Sequence, residues 1–288
     1  MMRQSEKKIT ILAGGLFLLL FCVQGVFAYE ETTVTSGGTF SGRVILKGTP
    51  PPSRIFHLIF SPNPKFCGRV SDGKGNRLLK EFRVAPDGGF QNVVVAVIGV
   101  EKGKPFDYRP ELTIENCSIS PFVTPVRNYQ PISLINKDSI AHDLQAYTLQ
   151  DNYTFAMFNK PLTPETITAK EIRLRKGHYI FRTQCGVHDF MQSWGIAIGN
   201  PYFAVTSPDG SFTISDIPPG TYHVIAWHPY LEIQAGEITV APNGKIETDF
   251  QFDSSKVEIP YYALQRSYRL ETALLPEQGI FPTVELQE

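Results

Sequence analysis

The stretch Cys185-Gly186-Val187-His188-Asp189-Phe190-Met191 sets a thiol, an imidazole and a thioether at intervals of three. A loop between two strands can fold those side chains onto one point, and thiolate, imidazole and thioether are the donors that a soft copper ion prefers. Such a centre needs a second imidazole. His142 supplies it, at the end of Asn136-Lys137-Asp138-Ser139-Ile140-Ala141-His142, where a neighbouring strand of a sandwich would deliver a ligand. Two imidazoles and a thiolate in one plane, with a weak axial Met, make a trigonal site that changes little between Cu(I) and Cu(II); a small rearrangement favours fast outer-sphere electron transfer. The candidate ligands are therefore His142, Cys185, His188 and Met191. Each has a plainer reading. Cys185 could be a buried thiol or could pair with Cys67 or Cys117, Met191 could fill a core, and His142 could be structural; its assignment rests on its position relative to the Cys loop.

The elements that must position these groups read as strands. Phe40 to Lys47, Ile55 to Phe60 and Asn92 to Ile98 are short runs bounded by Gly, Pro and Asn. Pro131 to Asn136 alternates Ile132, Leu134 and Asn136 against Ser133 and Ile135. His178 to Cys185 sets Tyr179, Phe181, Thr183 and Cys185 on one face, and Trp194, Ile196 and Ile198 follow in a further strand. After Asn200 the signals become hairpins: turns at Pro208-Asp209-Gly210 and Pro218-Pro219-Gly220 separate Phe212 and Ile214 from Tyr222, Val224 and Ala226. Glu237 to Val240 and Ile246 to Phe252 complete a set too thin to stand alone, so strands from residues 40–105 are expected to join it. Tyr261, Leu264, Tyr268 and Ala273 fall on one side of an expected peripheral helix.

Composition agrees with this content. The 288 residues are 42% hydrophobic and 19% charged, with 23 Gly and 22 Pro, which excludes a disordered chain, a coiled coil and a long-helix bundle. Lys and Arg number 27 against 28 Asp and Glu, so no field attracts a polyanion and nucleic acid is not expected as a partner. Residues 1–28 have a basic start at Arg3, Lys7 and Lys8, an apolar run from Ile9 to Val23 and small residues at Val26 and Ala28, the pattern of an export signal. The rival is an uncleaved anchor helix. Export would remove Arg3, Lys7, Lys8 and Glu6 and take the net charge from -1 to -3. It would also remove Cys22. Cys67, Cys117 and Cys185 then present an odd count in an oxidising compartment, so one of them has another task. A Cys67–Cys117 bridge would close a loop of about 50 residues, a stabilisation of about 4 kcal/mol on the chain-entropy account.

Asn136-x5-His142 followed by Cys185-x2-His188-x2-Met191 resembles the cupredoxins, the blue-copper family that includes plastocyanin and amicyanin, with the short Cys-His-Met loop nearest the amicyanin pattern. The chain further resembles exported bacterial proteins that join such a domain to a carboxypeptidase regulatory-like (transthyretin-like) β-domain. Gly89-Phe90-Gln91-Asn92-Val93-Val94-Val95, Asn200-Pro201-Tyr202-Phe203-Ala204-Val205-Thr206, Asp209-Gly210-Ser211-Phe212, Pro218-Pro219-Gly220-Thr221-Tyr222 and Trp227-His228 carry that likeness. The resemblance implies an all-β chain: a Greek-key cupredoxin sandwich and a smaller antiparallel one. The expected divisions are a signal at 1–28, N-terminal strands at 38–105 packing with the C-terminal module, a copper domain at 106–200, the β module at 201–252 and a tail at 253–288. Asn136 and Asp143 are expected as supports behind the ligands. Cupredoxins usually follow the first ligand His with Asn, whereas this chain has Asp143; its carboxylate could still brace the Cys loop, and its charge would lower a reduction potential. Gln145 stands where relatives often carry another His.

The expected function is that of an exported type 1 copper protein relaying single electrons, not an enzyme, with the His188 edge as the exit that the family implies. A redox partner protein is expected, such as a c-type cytochrome or a membrane oxidoreductase, in the periplasm or outside the cell. No small-molecule substrate is evident. A copper oxidase or nitrite reductase would need clustered His ligands for further ions, which the six histidines do not form. The alternative is a binding or scaffold protein that docks through the β module or the tail, with copper structural or absent.

Overall fold

The computed structural model describes residues 29–58, 61–150 and 153–259. The expected export signal and the expected tail helix lie outside them. The described chain is all-β, with one four-residue helix, Pro64–Cys67, and two 3-10 turns. Among these residues no helix is long and apolar enough to cross a membrane.

Two sheets enclose the first core. One runs in the order Tyr153–Leu162, His142–Gln150, Ile180–Cys185, Gln192–Ala197, Val123–Val126; the other runs Ile167–Glu171, Pro131–Asn136, Glu111–Ile114, Ile119–Ser120. The alternation of Pro131–Asn136 is realised, with Ile132, Leu134 and Asn136 buried. They meet Leu144, Ala146, Phe158, Phe181 and Cys185 of the facing sheet. Each large apolar side chain taken from water in this way contributes about 1.5–3 kcal/mol. Ile180–Cys185 is buried on both faces from Phe181 onward, because its other face, with Arg182, turns away from this core and is covered too. Tyr179 was expected in the inward row; it precedes the strand and is 64% exposed. Gly195 lies opposite Phe181, whose ring fills the space a Cβ would need.

The second core is also shared between two sheets. Gly220–Trp227 is central to one of them, between Val94–Ile98 and Gln234–Val240, while Gly38–Lys47 pairs with Ser211–Ile217, Lys245–Glu247 and Phe250–Asp253. Strands from both ends of the described chain thus share Phe40, Val95, Val97, Phe212, Val224 and Ile238 in one interior. A third cluster joins the sandwiches: Val94, Ala96 and Trp227 from the second meet Val123, Trp194 and Ile196 from the first.

The stretch between Gly38–Lys47 and Val94–Ile98 goes elsewhere. Arg54–His57 and Asn76–Leu79 form a two-stranded ribbon. Leu58 and Cys67 enter the first core, with Phe56, Phe66 and Leu79 against it. The strands of 38–105 thus divide: Gly38–Lys47 and Val94–Ile98 pack with the C-terminal module, whereas this ribbon packs against the first core. The ribbon is tied down by a disulfide between Cys67 and Cys117, with Cα atoms 5.5 Å apart.

Candidate metal centre

His142 opens its strand and pairs with Leu162 on one side. Cys185 closes the next strand, opposite Leu144. The Cys loop then turns back tightly: Met191 N–H donates to the His188 carbonyl at 3.1 Å, and Cys185 N–H donates to the Met191 carbonyl at 3.1 Å. Gly186 N–H donates to the main-chain carbonyl of Asp143 at 2.7 Å, locking the Cys loop to the His142 strand. A Cβ at Gly186 would stand 2.6 Å from Asp143 Oδ2 and 2.5 Å from Gln145 Nε2, so any larger residue there must displace those two buried side chains.

These constraints bring three donors together. The Nδ1 atoms of His142 and His188 are 3.2 Å apart, and Cys185 Sγ is 3.7 Å from the first and 3.6 Å from the second. With metal–nitrogen bonds of about 2.0 Å and metal–sulfur bonds of about 2.3 Å, a planar three-coordinate centre has edges of about 3.5 and 3.7 Å. The observed triangle therefore fits one ion, and two imidazoles with a thiol suit copper or another soft cation. All three residues are 0% exposed. Met191 is buried in the same cluster as Cys185 and Phe190. Cys67 and Cys117 are bonded to each other and Cys185 to neither, so the two alternative disulfides are not formed.

The supports are more numerous than sequence reasoning suggested. Asn136 Nδ2 donates to the carbonyls of Ile140 at 2.9 Å, Leu162 at 3.3 Å and Thr163 at 2.9 Å, and its Oδ1 accepts from Asp138 N–H at 3.0 Å. This cross-link shapes the loop that ends in His142. Asp143 braces the Cys loop through its main-chain carbonyl, while its buried carboxylate accepts from Gln145 Nε2 at 3.0 Å. The bracing expected of its carboxylate is thus carried by backbone.

Asp138 was not singled out from sequence. Its Oδ2 lies 2.9 Å from His142 Nε2, and its two oxygens accept from Asn116 N–H at 2.6 Å and Cys117 N–H at 2.9 Å. A carboxylate there holds the imidazole with its hydrogen on Nε2 and turns the Nδ1 lone pair toward Cys185 and His188. Burial pushes the His142 pKa below the ordinary imidazole value although Asp138 opposes the shift, so the ring is neutral and free to ligate. The spacing of Asp138 four residues before His142 was the available signal.

The expected exposed edge of His188 is overturned. The side chain is fully buried, and a ring nitrogen lies within 4.8 Å of the Cys67 and Cys117 sulfurs. Those sulfurs are bonded to each other and are not donors. Phe190 packs on the ribbon, its centroid 4.9 Å from that of Phe56 and 4.9 Å from the Arg77 guanidinium carbon. The remaining histidines stay apart: His57 bonds Asn76 at the surface, His223 is exposed and His178 is buried beside Phe155. His228 is buried among Phe82, Phe90 and Phe122, and belongs to none of the donor groups found among the described residues.

Comparison with known proteins gives weak likenesses. A family model described as polysaccharide lyase family 4, domain II, matches residues 183–248. No curated protein matches the chain. Among solved structures, a purple cupredoxin from Nitrosopumilus maritimus is similar at 14% identity and a TM-score of 0.26, over 31% of this chain and 98% of that one. Amicyanin from Paracoccus versutus is similar at 16% identity and 0.26, over 32% and 83%. A copper-containing nitrite reductase from Thermus scotoductus gives 13% and 0.26, over 35% of this chain and 25% of its own.

Proposed function

We propose that the chain binds one copper ion through His142, Cys185, His188 and Met191 and relays single electrons between protein partners, as a type 1 copper protein. The observation that carries this reading is the convergence of two imidazole Nδ1 atoms and one thiol sulfur, 3.2–3.7 Å apart, in a site with no exposed ligand. A bound copper ion would supply a one-electron couple between Cu(I) and Cu(II). The protein's own part is to hold the donors still. Asn136 and Asp138 fix His142, the Asp143 carbonyl fixes the Cys loop, and Phe190 with the disulfide keeps water from His188. Rigid support and exclusion of water both lower the rearrangement that accompanies a change of charge.

The second sandwich contributes no ligand to this group, and we read it as a carboxypeptidase regulatory-like module with an architectural role. We place the activity outside the cytoplasm, in the periplasm or beyond, on the leader-like residues 1–28 and the buried disulfide. The redox partner would be a protein, a c-type cytochrome or a membrane oxidoreductase. The test is voltammetry of the copper-loaded protein, which is expected to show one reversible one-electron wave. Copper bound without a reversible wave contradicts electron relay. In that case, pull-down with and without residues 253–288 tests the scaffold alternative.

A further inference from the structure

The cover over His188 is basic. Between Arg54 and Lys80 the basic residues are Arg54, Lys65, Arg69, Lys74, Arg77 and Lys80, against one carboxylate, Asp72, in a protein whose net charge is -1. Arg54 is taken up by Glu81, and Arg77 reaches inward over Phe190. Lys65, Arg69, Lys74 and Lys80 are exposed.

Apolar side chains stand among them. Ile55 is 60% exposed and Leu78 39%, and the two are direct cross-strand partners on the outward face of the ribbon. Val70, 37% exposed, sits in the 3-10 turn packed beside Asn76–Leu79. The inward face of the same ribbon is already used, by Phe56 against Phe190 and by Leu79 against the first core. The outward pair is left partly open to solvent. Its exposed apolar area is available to a partner.

This face also lies over the candidate metal centre. The Cys67 sulfur, at the end of the helix that carries Lys65, is within 4.8 Å of a His188 ring nitrogen, and the disulfide pins the helix in place. A basic rim steers an acidic partner, and a small apolar centre lets the two surfaces approach without water between them, as in weak redox encounters.

We propose that the outward face of Arg54–Leu58 and Ser61–Lys80 is the docking surface for the redox partner, and that this partner is a protein presenting acidic groups around an apolar patch. The inference rests on the proposed function above. It moves the point of electron transfer from a bare histidine edge to a disulfide-pinned cover.

The test is stopped-flow oxidation of the copper(I)-loaded full chain by two small probes. In each reaction one electron leaves the Cu(I) protein, reducing hexacyanoferrate(III) to hexacyanoferrate(II) or tris(phenanthroline)cobalt(III) to the cobalt(II) complex. The anionic probe is expected to react faster at low salt and to slow as ionic strength rises, opposite to what the net negative charge of the chain dictates. The triple variant Lys65→Glu, Lys74→Glu, Lys80→Glu, its visible spectrum unchanged, is expected to slow the anionic probe by about tenfold and to speed the cationic one. Rates that follow net charge, or a triple variant indistinguishable from the parent, overturn the proposal. Binding to phosphatidylglycerol vesicles that the triple substitution abolishes while leaving both rates unchanged assigns the face to lipid and also overturns it. A chain that takes up no copper defeats the functional reading and this proposal together. A coloured protein with insensitive rates defeats this proposal alone.

Discussion

Asp138, itself buried, accepts from two main-chain N–H groups and faces the buried His142 imidazole. Asp138→Ala leaves the Asn116 and Cys117 N–H groups without their acceptor and frees His142 to rotate. The expected result is a loss of about 1–3 kcal/mol in urea unfolding of the apoprotein, with copper affinity about 10–100-fold weaker in competition with a chelator. Gly186→Ala tests a separate contact. Its Cβ would collide with Asp143 and Gln145, so unfolding of the apoprotein is expected to show a destabilisation of about 1–3 kcal/mol. At this scale the ligands were legible because donor type and spacing are written in the chain: Cys185, His188 and Met191 share one loop, and His142 follows the readable strand Pro131–Asn136, opening the next one. Asp138 was not, because what a carboxylate faces depends on how its loop closes, and that closure is set by Asn136 and by the Asn116–Cys117 turn, 22 and 21 residues upstream. The burial of His188 was hidden for the same reason, since its cover comes from another part of the sequence.

The ribbon and its helix form an element whose placement depends on one covalent link. The strand character of Ile55 to Phe60 could be read locally, and the described part runs from Arg54 to His57. Its packing partner could not, because a short two-stranded ribbon with one apolar face fits either sandwich equally well by pattern. The odd cysteine count held the clue: a bond between Cys67 and Cys117 ties this segment to the turn beside the His142 loop. Replacing both cysteines by serine is expected to cost about 4 kcal/mol from the loop of 50 residues, measured by urea unfolding. It should also loosen the cover, so that a chelator strips copper from the double variant about tenfold faster than from the parent. An unchanged stripping rate would show that the cover is held by packing of Phe56, Phe66 and Leu79 alone.

Across the whole molecule, the two sandwiches meet around a joint that no single segment announces. Tyr230 donates to Glu81 at 2.7 Å, Glu81 pairs with Arg54, and Trp194 packs edge-on to Tyr230, linking the ribbon, the first sandwich and the second. The all-β class and the hairpins after Asn200 were legible from alternation and turn residues, whereas the joint depends on contacts between distant positions. His228 reports on it. Burial drives its pKa from 6.5 down to about 3, so it stays neutral in the fold while the unfolded chain takes up a proton below pH 6.5. The unfolded state then binds more protons, and stability must fall as pH drops from about 6.5 toward 3, by roughly 4–5 kcal/mol over the full range. Denaturant unfolding between pH 7 and 4 is expected to show this acid-side loss in the parent and a smaller one in His228→Phe. Two imidazoles and a thiolate around one copper ion absorb visible light through the sulfur, so adding Cu(II) to the purified protein while recording its spectrum reads the site itself. The expected result is an intense blue or green sulfur-to-copper charge-transfer band that saturates at one equivalent and vanishes in Cys185→Ser. A protein that stays colourless at one equivalent, or a band that survives Cys185→Ser, would contradict it.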